Sequence, residues 1–444
     1  MGDDGEFRER LREDLLHRLR PLRGQRAGGP GRSATPLELL YDLTYVIAFA
    51  AAAEQLAHQI GEGHVGPAIG AYVFAIWAIS WAWMNFSWFS SAYGNDDALF
   101  RILTIVQMVG AIVLVFGLPV SFERAVTGES PNNLLMVVGY IVMRVPLIVL
   151  WLRAARADAR HRRIDVAYAL AIGVAQTLWL LTAVLPLPAG ATVGAIVVLA
   201  LAEMVAPVVL EHRYGRAPWN AGHIAERFSL LTLIALGEVI AATVTAVGAL
   251  TGEKGWSIEA VVLASSGLVL AAGFWWSYFL IPSGTVLERW PSRVFAWRYA
   301  HLPIFGAIAA VGAGLRIAAE AIETERLTVL QITLALVVPV AVMTAMIFIT
   351  WSALMRSFDA THLPLFGAAL VPLAAALAVA VSAGREPVDL ASPGSLTALL
   401  SAIVLVALCP VVEVVGHELV GYRHTLRVVD RTAVRADAVE AASR

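Results

Sequence analysis

The sequence predicts an all-α, polytopic membrane protein of about twelve transmembrane helices. Three observations lead there: too few charges to cover a water-facing surface, recurring apolar runs of about 20 residues, and arginines concentrated in alternate connections. Of 444 residues, 59% are hydrophobic and 15% charged, and the mean hydropathy is +0.72. A soluble domain is about half apolar and a quarter charged, so the excess apolar surface must face lipid. The net charge of −2 creates no field suited to nucleic acid. The lone Cys409 excludes an intramolecular disulfide and a multi-cysteine metal site.

The first 34 residues carry eight arginines against six acids and lack the apolar core of a cleavable signal peptide. Phe7, Leu11, Leu15, Leu19 and Leu22 fall at helical spacing. That pattern suits an amphipathic helix in the membrane interface, and a solvated tail equally. Gly24 to Pro36 reads as a linker. Apolar runs then cover 36–60, 66–89, 100–120, 132–152, 165–186, 190–210, 224–249, 257–281, 299–319, 328–354, 364–383 and 395–416. Each can cross a hydrocarbon core of about 30 Å. The turn at 186–190 is the weakest division.

Cytoplasmic loops hold the excess of arginine, which tests the helix number independently. Clusters lie in the N-terminal segment, after the fourth helix (Arg153, Arg156, Arg160, Arg162, Arg163), after the sixth (Arg213, Arg216) and after the eighth (Arg289, Arg293, Arg298). Another lies in the C-terminal tail. The intervening connections hold almost none: Arg124, Lys254, Arg326 and Arg385, in four separate connections. Both termini are therefore predicted to be cytoplasmic, in a multi-pass protein of the cell membrane.

Three pairs of segments match in the same order. Glu38 of the first helix aligns with Glu226 of the seventh, WAWMNF (Trp81–Phe86) with FWWSYF (Phe274–Phe279), and APVVLEH (Ala206–His212) with CPVVEVVGH (Cys409–His417). The pattern predicts a parallel six-plus-six repeat. The expected organisation is a 1–34 N-terminal segment, repeats at 35–216 and 217–424, and a 425–444 tail.

The stretches LELLYDLTYVIAFAAAAEQLA (Leu37–Ala57) and ERFSLLTLIALGEVI (Glu226–Ile240) resemble signatures of bacterial low temperature requirement A proteins. So do NDDALFRI (Asn95–Ile102) after the tryptophan-rich second helix, FWWSYF, and RYAHLP (Arg298–Pro303). The resemblance spans most of the chain beyond residue 35. It implies a polytopic bacterial membrane protein of a family named for a cold-growth phenotype, and it implies no substrate, reaction or functional residue.

Function must then be read from polar residues placed where lipid should be. An ionisable group at mid-membrane costs at least about 2.5–3.5 kcal/mol, so it normally faces the bundle interior or a water-filled cavity. Glu38 and Asp42 share one helix face, flanked by Tyr41 and Tyr45. Helix-start chemistry accounts for Glu38 as well as function does, and Asp42 lies deeper. Glu226 and Arg227 open the seventh helix, where a cap or interfacial pair explains them. Glu238 lies 12 residues beyond Glu226, about 18 Å along a helix, after Gly237 where a partner backbone could approach. It reads either as a functional carboxyl or as a group joining two helices. Glu203 and Arg144 are the other deep charges, and Arg144 could pair with Glu203 or with Glu238.

His301 beside Pro303 reads first as a satisfied structural histidine. Asp96, Asp97 and Arg101 suit the capping of the third helix. Glu54/His58 and Glu413/His417 have i, i+4 spacing, but two ligands do not make a metal site. Trp88, Trp256 and Trp290 suit interfacial anchoring. Trp81, Trp83, Trp275 and Trp276 suit core packing, with pocket lining as the alternative. No phosphate loop, GxGxxG, GxSxG or HExxH motif occurs, and no connection is long enough for a soluble catalytic domain.

No catalytic residue, cofactor or metal is expected. The expected partners are the lipid bilayer and a small solute or ion. The favoured reading is a secondary transporter or permease, with proton coupling through Glu238, Glu203 or Asp42. Two alternatives remain: a membrane stress or envelope protein acting through partners, and an intramembrane lipid-modifying enzyme using Asp42, Glu238 and His301. A polar cavity favours transport, a dry centre favours partner binding, and an opening to lipid beside His301 favours lipid chemistry.

Overall fold

A computed structural model describes residues 22, 24–25, 32–131, 133–251, 255–324, 326–356, 362–388, 393–423, 426–427 and 429–431. Among them, twelve helices are long and apolar enough to cross a membrane. They are α1 (Pro36–Gly61), α2 (Val65–Tyr93), α3 (Ala98–Val126), α4 (Leu134–Ala157), α5 (Arg162–Val184) and α6 (Ala189–Tyr214), followed by α7 (Ala221–Thr251), α8 (Ile258–Phe279), α9 (Val294–Thr324), α10 (Val329–Met355), α11 (Leu363–Ser382) and α12 (Pro393–Gly416). Every predicted span has its helix, and the doubtful turn falls between Val184 and Ala189. A short helix, Ser283–Arg289, follows α8. Apart from Leu22, which is buried, the amphipathic run Phe7 to Arg23 lies outside the described residues. So do Lys254 and most of the C-terminal tail.

Local signals set the helix starts. Asn133 accepts a hydrogen bond from the Met136 amide at the head of α4 (3.0 Å). Thr328 and Gln331 form a reciprocal capping box on α10. Prolines 119, 146, 207, 303, 339, 372 and 410 lie inside helices. Membrane helices tolerate such prolines because neighbouring groups satisfy the freed carbonyls.

The chain forms two compact units. The first comprises Met1–Thr44, Ala82–Phe116 and Asn132–Ile224; the second comprises Tyr45–Trp81, Gly117–Pro131 and Ala225–Arg444. The division runs through α1, α2 and α3 and falls near the start of α7.

In the first unit α5 packs on α4 and α6 on α5. α3 and α4 cross at two glycines. A Cβ on Gly110 would lie 2.6 Å from the Met143 nitrogen, and one on Gly139 would lie 2.4 Å from the Leu114 nitrogen. Only backbone fits there, as at small-residue contacts between membrane helices. The crossing fixes the stretch of α4 that carries Tyr140 and Arg144.

In the second unit α9 packs on α10, α12 on α8 and α11, and α10 on both α11 and α12. α9 is the enclosed helix, with 78% of its apolar window buried, against 22% for α11.

Candidate functional site

In the second unit the charged site is built on α7 and α9. Glu238 lies 17 residues past the first residue of α7, Ala221, about 26 Å along the helix axis. Arg316 of α9 donates from Nη2 to Glu238 Oε1 at 2.6 Å. Gly312, one turn before Arg316, allows the approach: a Cβ there would lie 3.2 Å from Ala242 Cβ and 3.9 Å from the Glu238 carbonyl. The close approach expected at Gly237 does not occur, because nothing lies within 4 Å of a Cβ built there.

The Glu238–Arg316 pair is not sealed in protein. The two side chains retain 11% and 20% of their surface. Glu54 of α1 is exposed and close enough to act on Glu238 electrostatically. A second carboxylate thus acts on the carboxyl of the Glu238–Arg316 pair, inside segments long enough to span a bilayer. Such a group can take up a proton.

In the first unit, Arg144 meets Glu203 rather than Glu238: Nη2 to Oε2 is 2.5 Å, with both side chains buried. Trp179 Nε1 donates to Glu203 Oε1 at 2.6 Å, and the Tyr140 hydroxyl lies 3.2 Å from Oε2. Arg144 Nη2 also donates to the Tyr140 oxygen at 3.0 Å. Donors from α4 and α5 thus hold a carboxylate from α6 on both oxygens. This is the geometry of a three-helix lock. An apolar groove of about 450 Å³ along α5 and α6 reaches Glu203 and Asn85.

Glu38 serves the start of α1. Its Oε2 accepts from the Thr35 amide at 2.8 Å, and Thr35 Oγ1 accepts from the Glu38 amide at 3.3 Å. Arg32 binds both carboxylate oxygens at 2.7 and 3.1 Å, and His223 Nε2 stands 3.5 Å away. The Thr35 contacts are helix-start chemistry, and Arg32 and His223 add charge partners. Asp42 is wholly buried, and its Oδ1 accepts from Trp83 Nε1 at 2.7 Å. Asp97 caps α3 through the Phe100 amide at 2.9 Å and also pairs with Arg153, while Asp96 pairs with Arg101 at 2.7 Å.

At the head of α7, Glu226 is half-buried and Arg227 wholly buried, and both have partners. His301 has no exposed surface. Its Nδ1 lies 2.8 Å from the Trp297 carbonyl and its Nε2 lies 2.9 Å from the Tyr278 hydroxyl. Phe228, Trp297, Tyr278 and Phe305 surround the ring. A histidine enclosed and satisfied in this way presents nothing to lipid.

Several tryptophans depart from expectation. Trp88 is buried and donates to Glu211 at 3.1 Å, so it is no interfacial anchor. Trp275 and Trp276 are 46% and 47% exposed on α8, so they neither pack in the core nor line a pocket. Trp290 lies beneath the Arg293 guanidinium, 3.9 Å from its ring centre. Among the described residues, no group of three or more His, Cys, Asp or Glu could hold a metal ion.

Sequence reasoning missed Arg316. Ending the ninth helix at residue 319 placed that arginine near the membrane surface; α9 continues to Thr324 and carries it a further turn and more inward. The signal was the amphipathic RIAAEAIET (Arg316–Thr324), in which Glu320 follows Arg316 at helical spacing.

Twelve spanning helices and charged groups held within them define a polytopic all-α membrane protein. Residues 33–411 match the family described as bacterial low temperature requirement A protein (LtrA). The chain belongs to that family. It is also similar to an uncharacterized protein of Rhizobium meliloti (strain 1021), 26% identical over 289 residues, which is 61% of this chain and 66% of that protein. No solved structure matches.

Proposed function

We propose that the protein is a proton-coupled secondary transporter in which Glu238 is the proton-binding group. The observation that carries this reading is the partly open Glu238–Arg316 pair beside Glu54. Charge inside a membrane span is costly, and such residues typically line ion or proton pathways. A structural pair holds its carboxylate on both oxygens, as Arg144, Trp179 and Tyr140 hold Glu203. Protonating Glu238 removes the negative charge that faces Arg316, so the balance of the pair changes with the proton. That gives a coupling ion two distinct local arrangements to choose between. The helix number and the cytoplasmic termini expected from the arginine pattern suit a permease.

The enclosure of His301 argues against lipid chemistry at that residue. The test is an uptake screen of metabolites and ions in proteoliposomes, with and without a pH gradient. Solute accumulation that rises with an imposed gradient supports the reading, and gradient-independent leakage of every solute opposes it.

A further inference from the structure

A second polar site lies in the second unit, where the last turns of α8, α10 and α12 meet the first turn of α11. It surrounds a cavity of about 70 Å³. At roughly 10–15 Å³ per water, that is space for about five waters, or for a solute of about five non-hydrogen atoms.

The lining combines a carboxyl group, aromatic rings and donors without acceptors. Glu413 lines the cavity, and its carboxylate accepts a hydrogen bond from Thr344. No cationic side chain pairs with it among the described residues. The rings of Trp351, Phe348 and Phe366 line it too, and Phe348 and Phe366 stack with centroids 5.6 Å apart. A carboxylate among aromatic faces is a setting for an ammonium group. Ser277 Oγ and Trp351 Nε1 are buried donors with no hydrogen-bond partner among the described residues, and both residues line the cavity.

Two features of the backbone add to this. The first turn of α11 borders the cavity through Leu365 and Phe366, so the positive end of that helix dipole lies beside it. The α-helix of α12 also gives way to a π-helical turn at His417–Gly421, which sets the His417 ring 6.1 Å from that of His362. Single π turns inside helices concentrate at functional sites.

We propose that this cavity binds a small zwitterionic amino acid. Its ammonium group lies against Glu413 and the rings, and its carboxylate takes the hydrogen bonds of Ser277 and Trp351 at the α11 N-terminus. Glycine, with five non-hydrogen atoms, matches the volume. The inference deepens the transporter reading by naming its substrate class. Equilibrium binding needs no gradient, so its failure and the failure of proton coupling are separate results.

The experiment measures equilibrium binding of radiolabelled glycine and, separately, ethanolamine to the purified full-length protein. Saturable glycine binding is expected, with weaker binding of ethanolamine, which lacks the carboxylate. Glu413→Gln should weaken glycine binding by about thirtyfold or more, the loss that follows removal of one member of a buried charge pair. Ser277→Ala should weaken it by a smaller factor, and Gly66→Ala, at a position with nothing within 4 Å of its Cβ, should leave it unchanged. Glu413 has no cationic partner to strand, so Glu413→Gln should fold; Ser277→Ala provides the second reading if it does not. Absence of saturable glycine binding, or binding indifferent to both cavity substitutions, overturns the proposal. Ethanolamine binding as tight as glycine would overturn the carboxylate half of it.

Discussion

Arg316 reaches across from α9 to Glu238 on α7 with a 2.6 Å contact, and both side chains keep part of their surface open. The contrast with Arg144 and Glu203, joined at 2.5 Å and buried, separates two kinds of intramembrane charge in one chain. One pair has spare donors on both carboxylate oxygens. The other has a second carboxylate, Glu54, acting on its own.

The buried lock should be costly to break. Arg144→Gln or Glu203→Gln alone should destabilise the first unit by about 3–5 kcal/mol, because each leaves an uncompensated buried charge. The double replacement should recover a large part of that loss. Thermal unfolding of the three variants in one detergent checks this; equal destabilisation by the double and single variants contradicts the lock.

The α3–α4 crossing should tolerate no side chain. Gly139→Val places atoms where the Leu114 backbone already stands, and overpacking of this kind costs about 1–3 kcal/mol or more. Surface Gly66, with nothing within 4 Å of its Cβ position, is the control: Gly66→Ala should leave the melting temperature nearly unchanged.

Asp158, in the connection after α4, has its carboxyl held below the usual range. Burial alone would raise it, but His161 Nδ1 at 2.8 Å and the amides of Arg160 and His161 outweigh that. A lowered folded-state pKa contributes stability above the unfolded value of about 3.9. That contribution fades as pH falls through the folded value. Asp158→Asn should therefore melt lower than wild type at pH 6, and the gap should close as pH falls below about 4. A gap that widens in acid contradicts the assignment.

The arginine distribution predicts the orientation. Tags on both termini should resist external protease in intact spheroplasts, and a tag beside Lys254 should be cleaved. Protection at Lys254 would overturn the helix count.

The spans were legible because lipid imposes one rule on every helix: enough apolar residues in a row. Even the tight connection between α5 and α6 followed from it. Arg144 and Glu203 were recognisable as deep charges, and Glu38 as helix-start chemistry, because each depends on local position. Partners were less legible. Choosing Glu203 over Glu238 for Arg144 depends on which helices pack together, and a single sequence does not carry that. Arg316 was hidden by five residues of misjudged helix end. Trp275 and Trp276 misled because a tryptophan suits lipid, core and interface alike, and only packing decides among them.

The central claim is that Glu238 carries the coupling proton, and uptake by Glu238 and Arg316 variants tests it most directly. Proteoliposomes containing wild type, Glu238→Gln and the double variant Glu238→Gln/Arg316→Gln are given the same inward-acid gradient and the solute that responds in the screen. The account predicts gradient-driven accumulation by wild type alone. The single variant should also melt lower, because it leaves Arg316 without its nearest partner, and the double variant should regain stability without regaining accumulation. Accumulation by the stable double variant at the wild-type level would contradict the claim.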